Sequence, residues 1–411
     1  MMSEQPMGDI DSGWDNDNFQ NMRQIMLNGD WNLFANGGSA AHKDYKSKGG
    51  NLTRGPADCA NCYSKEMRGL QSQRQNWLKN IKTQFPAGTY ENANKTSGNQ
   101  IYHLNLNLSN ICNFKCRMCS PIYSNSLIPD FDHLIKVGSP VRYFSKAGIK
   151  QIIDVDNILE QYGSQLSNLT TIWVTGGEPF MDDRLFDFTK KLANYTDISK
   201  VRMYITTNGS KVDIEKLSAF DELDVININL SIDATGDLFS YMRSAGIYKW
   251  DQVETLIEDL RHWQKAELHQ YQRQLSYNAS FQTYNSYNAV EFFNYFNSIM
   301  RDRDWIEYRM LTNPSYLAVQ HMPQHMKDHV GQQLQNLLNN QTTSRNTNTI
   351  NNMLQSLKTE QNKNSWHEFI RFTVELDVYR NQYLEDYAPE LFNNFDKDTL
   401  DKFEALYNDK R

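Results

Sequence analysis

The sequence predicts an α/β fold: a partial (β/α)6 barrel, preceded by an irregular cysteine-bearing extension and followed by a helical one. Three observations lead there. Six short segments between residues 101 and 311 read as strands, most of them alternating apolar and polar side chains, and segments of helical period separate several of them. The regions on either side lack that alternation, which divides the 411 residues into 1–100, 101–312 and 313–411.

The first hundred residues are polar and punctuated by glycine, with NGGSAAHKDYKSKGGNLTRGP leading up to the first cysteine pair, and they read as irregular. The opening MMSEQPMGDID has neither a basic nor an apolar leader segment, and no stretch approaches the roughly 18 apolar residues of a membrane span. The expectation is a soluble, cytoplasmic protein without a membrane partner. Lys and Arg number 42 against 49 Asp and Glu, a net charge of −7. That charge supplies no bulk attraction for nucleic acid or anionic lipid.

The predicted strands are His103 to Ser109, Thr170 to Thr175, Val201 to Thr206, Val225 to Ile232, Leu275 to Gln282 and Ile306 to Met310. Behind the second, Leu185, Phe188, Leu192 and Tyr195 recur at helical spacing, with Asp182 and Asp183 placed to cap the helix. Trp250, Val253, Leu256, Ile257, Leu260 and Trp263 follow the fourth strand in the same way, as do Val290, Phe293 and Met300 the fifth. Parallel strands covered on both faces read as continuous apolar runs, yet here Leu104, Leu106 and Leu108 interleave with polar residues, and Ile226, Ile228 and Leu230 do the same. A polar barrel interior explains this, with Arg202, Glu307 and Arg309 adding charge; an antiparallel sheet with one solvated face is the alternative. After the sixth strand come helical segments, and the Asn-rich stretch Gln335 to Asn364 is expected to be a mobile loop or a surface helix pair that buries little.

Five cysteines are too few for a disulfide framework in a chain this long, and their grouping at 59, 62, 112, 116 and 119 points to metal chemistry. The first strand runs into NICNFKCRMCSP, which places Cys112, Cys116 and Cys119 in a Cys-x-x-x-Cys-x-x-Cys loop. Three thiolates at this spacing suit three corners of a 4Fe–4S cluster, leaving one iron open for catalysis. The loop and its position resemble the radical S-adenosylmethionine (SAM) superfamily. Gly176-Gly177-Glu178-Pro179, after the second strand, resembles the family's GGEP segment, which receives the methionine amino group of SAM; adjacent glycines admit a close approach and Glu178 can accept from an ammonium. Thr206 to Gly209 (TTNG), Leu230 to Ala234 (LSIDA) and Tyr241 to Gly246 (YMRSAG) extend the resemblance over about residues 101 to 311.

The resemblance implies that Cys112, Cys116 and Cys119 hold the cluster and that Met118, Gly176, Gly177, Glu178, Pro179, Asn208, Ser231, Asp233 and Arg243 contact SAM. It implies an enzyme in which the reduced cluster cleaves SAM to a 5′-deoxyadenosyl radical that abstracts a substrate hydrogen. An electron donor such as flavodoxin or ferredoxin would serve as partner. Upstream, DCANCYSKEMRGLQSQR places Cys59 and Cys62 ahead of Glu66, Gly69, Ser72 and Arg74, resembling the accessory-cluster segment of twitch and SPASM-type radical SAM proteins, often bacterial or phage-encoded. Relatives usually begin with further cysteines, so this pair needs other ligands, His42 or a partner chain among them, to hold a second iron–sulfur cluster or zinc. The accessory pair suggests a peptide or protein side chain as substrate; a carbohydrate, lipid or nucleotide is the alternative. A zinc-binding interaction module built on Cys59, Cys62, Cys116 and Cys119 is the rival from another class. His321 and His325, four apart, read as surface residues sharing a helix face rather than metal ligands, and Tyr204 and Tyr284 are the candidates for a second hydrogen donor.

Overall fold

The computed structural model describes residues 100–141, 154–265, 272–301, 303–340 and 346–410, together with Glu66, Ser72, Gln75 and Lys79 ahead of them. Cys59, Cys62 and His42 lie outside the described residues. The chain divides into two compact units, 1–100 and 101–411. Within the first, the Ser72 hydroxyl donates to Glu66 at 2.5 Å. The second takes in both the strands and the C-terminal helices.

Its centre is a six-stranded sheet whose spatial order follows the chain: β1 (His103–Asn107), β2 (Thr171–Thr175), β3 (Arg202–Thr207), β4 (Val225–Ser231), β5 (Arg273–Phe281) and β6 (Trp305–Met310). Every adjacent pair is parallel, with Leu106 beside Val174 and Asn227 beside Tyr204, so the antiparallel alternative is excluded. No pairing of β6 with β1 occurs among the described residues, and the barrel is partial. Helices α1 (Ile128–Lys136), α2 (Val155–Tyr162), α3 (Arg184–Leu192), α4 (Gly236–Phe239), α5 (Trp250–Gln264) and α6 (Ala289–Ile299) lie between the strands.

The period-2 pattern decides which face each strand buries. Ile172, Val174, Met203, Ile205, Ile226 and Ile228 are 0–1% exposed and share one core with Leu185 and Phe188 of α3, Leu260 of α5 and Phe292 and Phe296 of α6. The opposite face is polar and aromatic. Ser276 donates to Asn227 at 2.8 Å, and His103, Trp173 and Tyr204 form a ladder of ring contacts at 6.2 and 5.3 Å. Arg202, Glu307 and Arg309 stand on this polar face by register, and their side chains are solvent-exposed, Arg202 pairing with Asp224 and Arg309 with Glu307. Asp182, not Asp183, caps α3 through the Arg184 amide; Asp183 instead pairs with Lys216.

Beyond β6 the chain forms α7 (Gln324–Asn340), α8 (Thr347–Leu357), α9 (Lys363–Arg380), α10 (Leu384–Tyr387), α11 (Pro389–Asn393) and α12 (Lys397–Lys410). The Asn-rich stretch is largely helical, and it buries more than expected. Leu334 and Leu337 of α7 and Ile350, Met353 and Leu357 of α8 enter the core, while the amides take the outer face; α8 packs on α7 and β6. His321 and His325 do not share a helix: His321 is buried in a 3-10 turn and accepts from the Asn362 amide at 3.3 Å, whereas His325 contacts the Asn394 carbonyl at 3.0 Å. Helix α9 begins at Asn362, whose side chain accepts from the Asn364 and Ser365 amides, and packs on α12 and α1. No helix among the described residues is long and apolar enough to cross a membrane.

Met353→Ala is expected to lower the unfolding free energy by about 2–5 kcal/mol in a urea titration, while exposed Asn352→Ala stays within about 0.5 kcal/mol. Equal, small effects would show that the Asn-rich helices contribute no core.

Candidate active site

One buried carboxylate joins the C-terminal ends of the first three strands. Glu178, 3% exposed, accepts hydrogen bonds from the Thr207 hydroxyl and the Asn208 amide, both at 2.6 Å, and from the Phe180 amide at 3.2 Å. Its own amide donates to the Ile111 carbonyl at 2.8 Å. Burial raises its pKa above the ordinary carboxylate value in spite of these donors. Three donors of the protein thus use most of the acceptor capacity of Glu178.

The two glycines before it also serve the protein itself. Gly176 and Gly177 have φ of +81° and +50°, and a Cβ on Gly177 would lie 2.5 Å from the Ile111 carbonyl oxygen and 2.7 Å from that of Ser109. Gly177 thus permits the close approach of the backbone that leads into the cysteine loop, and Gly176 that of the Asn107 side chain. That loop is fixed at several points: the Cys112 amide donates to Asn125 Oδ1 at 3.2 Å, and the Ser124 hydroxyl to the Phe114 carbonyl at 2.7 Å. The Lys115 and Arg117 amides donate to the carbonyls of Arg243 and Met242 at 3.1 and 2.8 Å, tying the loop to a π-helical turn, Ser240–Ser244.

Arg117, between the second and third cysteines, is wholly buried. Its Nε donates to the Tyr241 carbonyl at 3.0 Å, its guanidinium carbon lies 3.5 Å from the centre of the Tyr241 ring, and Nη2 pairs with Asp377 Oδ1 of α9 at 2.6 Å. Asp377 also accepts from the hydroxyls of Tyr241 and Tyr407 and the Leu384 amide. Removing one member of such a buried pair costs about 3–5 kcal/mol.

Cys112, Cys116 and Cys119 are free thiols that line a cavity of about 200 Å³ with Phe114, Tyr123, Ser124, Gly176, Gly177, Thr206, Thr207, Asn208, Ser231 and Arg243. Five of the residues expected at the cofactor are thus on its wall: Gly176, Gly177, Asn208, Ser231 and Arg243. Met118, Glu178, Pro179 and Asp233 are not. Asp233 stands behind Arg243, accepting from Arg243 Nη1 at 2.6 Å and from the Ser280 amide at 2.7 Å. Tyr284 is sealed away, bonded to Thr373 at 2.8 Å, and does not line the cavity. Sequence reasoning missed Phe114, Tyr123, Ser124, Thr206 and Thr207; the two threonines were visible in the TTNG motif that yielded only Asn208.

The donor set suits an iron–sulfur cluster. Burial pushes the Cys112 thiol up to about 11, with Cys116 adding to the shift, and raises Cys116 and Cys119 too, so only a bound cation would hold them as thiolates. Asn208 Nδ2 lies 3.8 Å from Cys112 Sγ, a weak N–H···S contact of the kind that tunes a cluster. Among the described residues, no trio of His, Cys, Asp and Glu gathers around one point as a single ion requires.

Residues 106–262, which include all three cysteines, match the radical SAM superfamily. The partial barrel carries a radical SAM domain. Enzymes of this family use a 4Fe–4S cluster and SAM. The chain is similar to a GTP 3′,8-cyclase of Pasteurella multocida, 26% identical over 154 residues that make up 37% of this chain and 39% of that one. It is 30% identical to a GTP 3′,8-cyclase of Tolumonas auensis over 136 residues, 33% and 34% of the two chains. The matched part of the chain spans well under half the length of these curated relatives. Among solved structures, native anSMEcpe with bound AdoMet covers 63% of this chain and 64% of its own at 15% identity and a TM-score of 0.42. Streptococcus suis SuiB bound to S-adenosylmethionine covers 71% and 62% at 12% identity and 0.39.

Gly177→Ala is expected to cost at least about 1–2 kcal/mol from its left-handed backbone and more from the collision with Ile111 and Ser109, and to lower the iron retained per chain after reconstitution. Gly236→Ala, at φ +60° with nothing within 4 Å, carries the backbone penalty alone. Equal losses in the two variants, by chemical unfolding and iron analysis, would show that Gly177 is not needed for loop contact.

Proposed function

We propose that this protein is a radical SAM enzyme that generates a 5′-deoxyadenosyl radical to remove hydrogen from a substrate, by the first reading a peptide or protein side chain. The observation that carries it is the convergence of Cys112, Cys116 and Cys119 with Gly176, Gly177, Asn208, Ser231 and Arg243 on one cavity. Held by those three thiolates, a 4Fe–4S cluster would supply the electron that splits SAM, at an iron that the protein leaves without a ligand.

The chain's own residues orient and enclose. Arg243, fixed by Asp233, presents a guanidinium suited to a carboxylate such as that of the SAM methionyl group. The backbones of Gly176 and Gly177 and the hydroxyls of Ser231 and Thr206 offer neutral polar contacts beside it. Phe114, fully buried, and the half-exposed ring of Tyr123 limit water at the thiols, as radical chemistry requires. At about 200 Å³ the cavity is smaller than the roughly 300–1,000 Å³ of small-molecule sites, so a substrate would reach it from the open side rather than be enclosed in it.

The peptide reading rests on the resemblance of the segment carrying Cys59 and Cys62. A nucleotide is the second reading, favoured by the similarity of the radical SAM domain to GTP 3′,8-cyclases. A reductant such as flavodoxin or ferredoxin would serve either.

Anaerobic reconstitution with iron and sulfide, reduction and addition of SAM should yield 5′-deoxyadenosine by chromatography without any substrate. Cys112→Ala, Cys116→Ala and Cys119→Ala together should abolish both the product and the 4Fe–4S signal; a full-strength cluster in that triple variant would sink the assignment. Iron clearly above the roughly four atoms of one cluster would assign a second cluster to Cys59 and Cys62. Tightly bound zinc without iron would favour the interaction-module reading instead. Stimulation by a nucleoside triphosphate but by no peptide would select the nucleotide.

A further inference from the structure

The charged side chains around the cysteine loop are unevenly paired. Arg117 has Asp377 and Arg243 has Asp233 as carboxylate partners. Asp130 of α1, fully buried, serves two cations at once: Lys115 Nζ at 3.3 Å from Oδ1 and Arg380 Nη2 at 2.8 Å from Oδ2. Arg380 closes α9, and its side chain is only 5% exposed. Its Nε and Nη1 have no hydrogen-bond partner among the described residues. Buried N–H groups without an acceptor are rare and call for an explanation.

The shared carboxylate places this charge next to the cysteine loop. Lys115, which shares Asp130 with Arg380, immediately precedes Cys116.

We propose that Arg380 is a positioning residue for the iron–sulfur centre: from the C-terminal helix it joins Lys115 on the single carboxylate of Asp130, which leaves net positive charge beside the cysteine loop and favours the added electron. Positive charge and N–H donors near cluster sulfur make reduction easier. The placement also gives the C-terminal helices a part in the chemistry, beyond the 106–262 segment that matches the superfamily. The inference rests on the proposed cluster at Cys112, Cys116 and Cys119.

The test is an EPR-monitored redox titration of the reconstituted full chain, with iron counted per chain. Arg380→Gln is expected to make reduction about tenfold less favourable, a midpoint about 59 mV more negative for one electron, and Arg380→Lys, which keeps the charge, to recover at least half of that shift. If the Gln variant loses iron while the Lys variant keeps both iron and potential, charge is again the operative property. A Gln variant with full iron and an unchanged midpoint overturns the proposal. So does equal loss of iron from both variants, which would reduce Arg380 to a packing element. A wild-type chain that takes up no 4Fe–4S cluster overturns the functional reading along with it, whereas a wild-type cluster indifferent to Arg380 overturns this inference alone.

Discussion

The site depends on a single buried carboxylate. Burying Glu178 without a cation partner is unfavourable, as its raised pKa records, and three donors from two neighbouring segments offset that penalty. The result is a knot at the top of the sheet. Through its amide Glu178 holds the exit of β1, through Thr207 and Asn208 it holds the exit of β3, and Asn208 in turn reaches Cys112. Few other groups could replace it, since the same side chain must accept from a hydroxyl and from backbone amides while fitting behind two glycines with no room for a Cβ.

A second level of restraint comes from far along the chain. The Arg117–Asp377 pair, stacked against Tyr241, and the three-way contact of Lys115, Asp130 and Arg380 fasten the cysteine loop to α1 and α9. These are ion pairs in a low-dielectric setting, where geometry matters more than net stabilisation. They restrict the loop to one arrangement. Ladder bonds from Lys115 and Arg117 to the π-helical turn do the same from the other side, so the three thiols are presented by a segment held on two flanks.

Much of this was legible in the sequence, for identifiable reasons. Each of the six strands begins and ends within two residues of its predicted limits, because alternation such as Ile226, Ile228, Leu230 against Asn227, Asn229, Ser231 is a direct image of a sheet with unlike faces. The cysteines and glycines announced the cavity because their spacing is local. What escaped was of two kinds. In α8, abundant asparagine masked Ile350, Met353 and Leu357, although their spacing is helical. Arg117, Asp377 and Arg380 carried no local signal at all, since a charge between two cysteines looks solvated until a distant helix is known to cover it. The donors that Glu178 accepts from were likewise hidden, because its motif does not reveal which way a carboxylate turns.

The order of the strands has a consequence for assembly. With β1 to β6 neighbours in chain order, each pairing closes only one β/α unit, so the sheet can grow stepwise from its N-terminal edge as the polypeptide emerges. The cysteine loop and the glycines that receive it belong to the first two units. Asp377 and Arg380 belong to almost the last. The thiols are therefore synthesised long before Asp377 and Arg380, the residues that fasten their loop to α9.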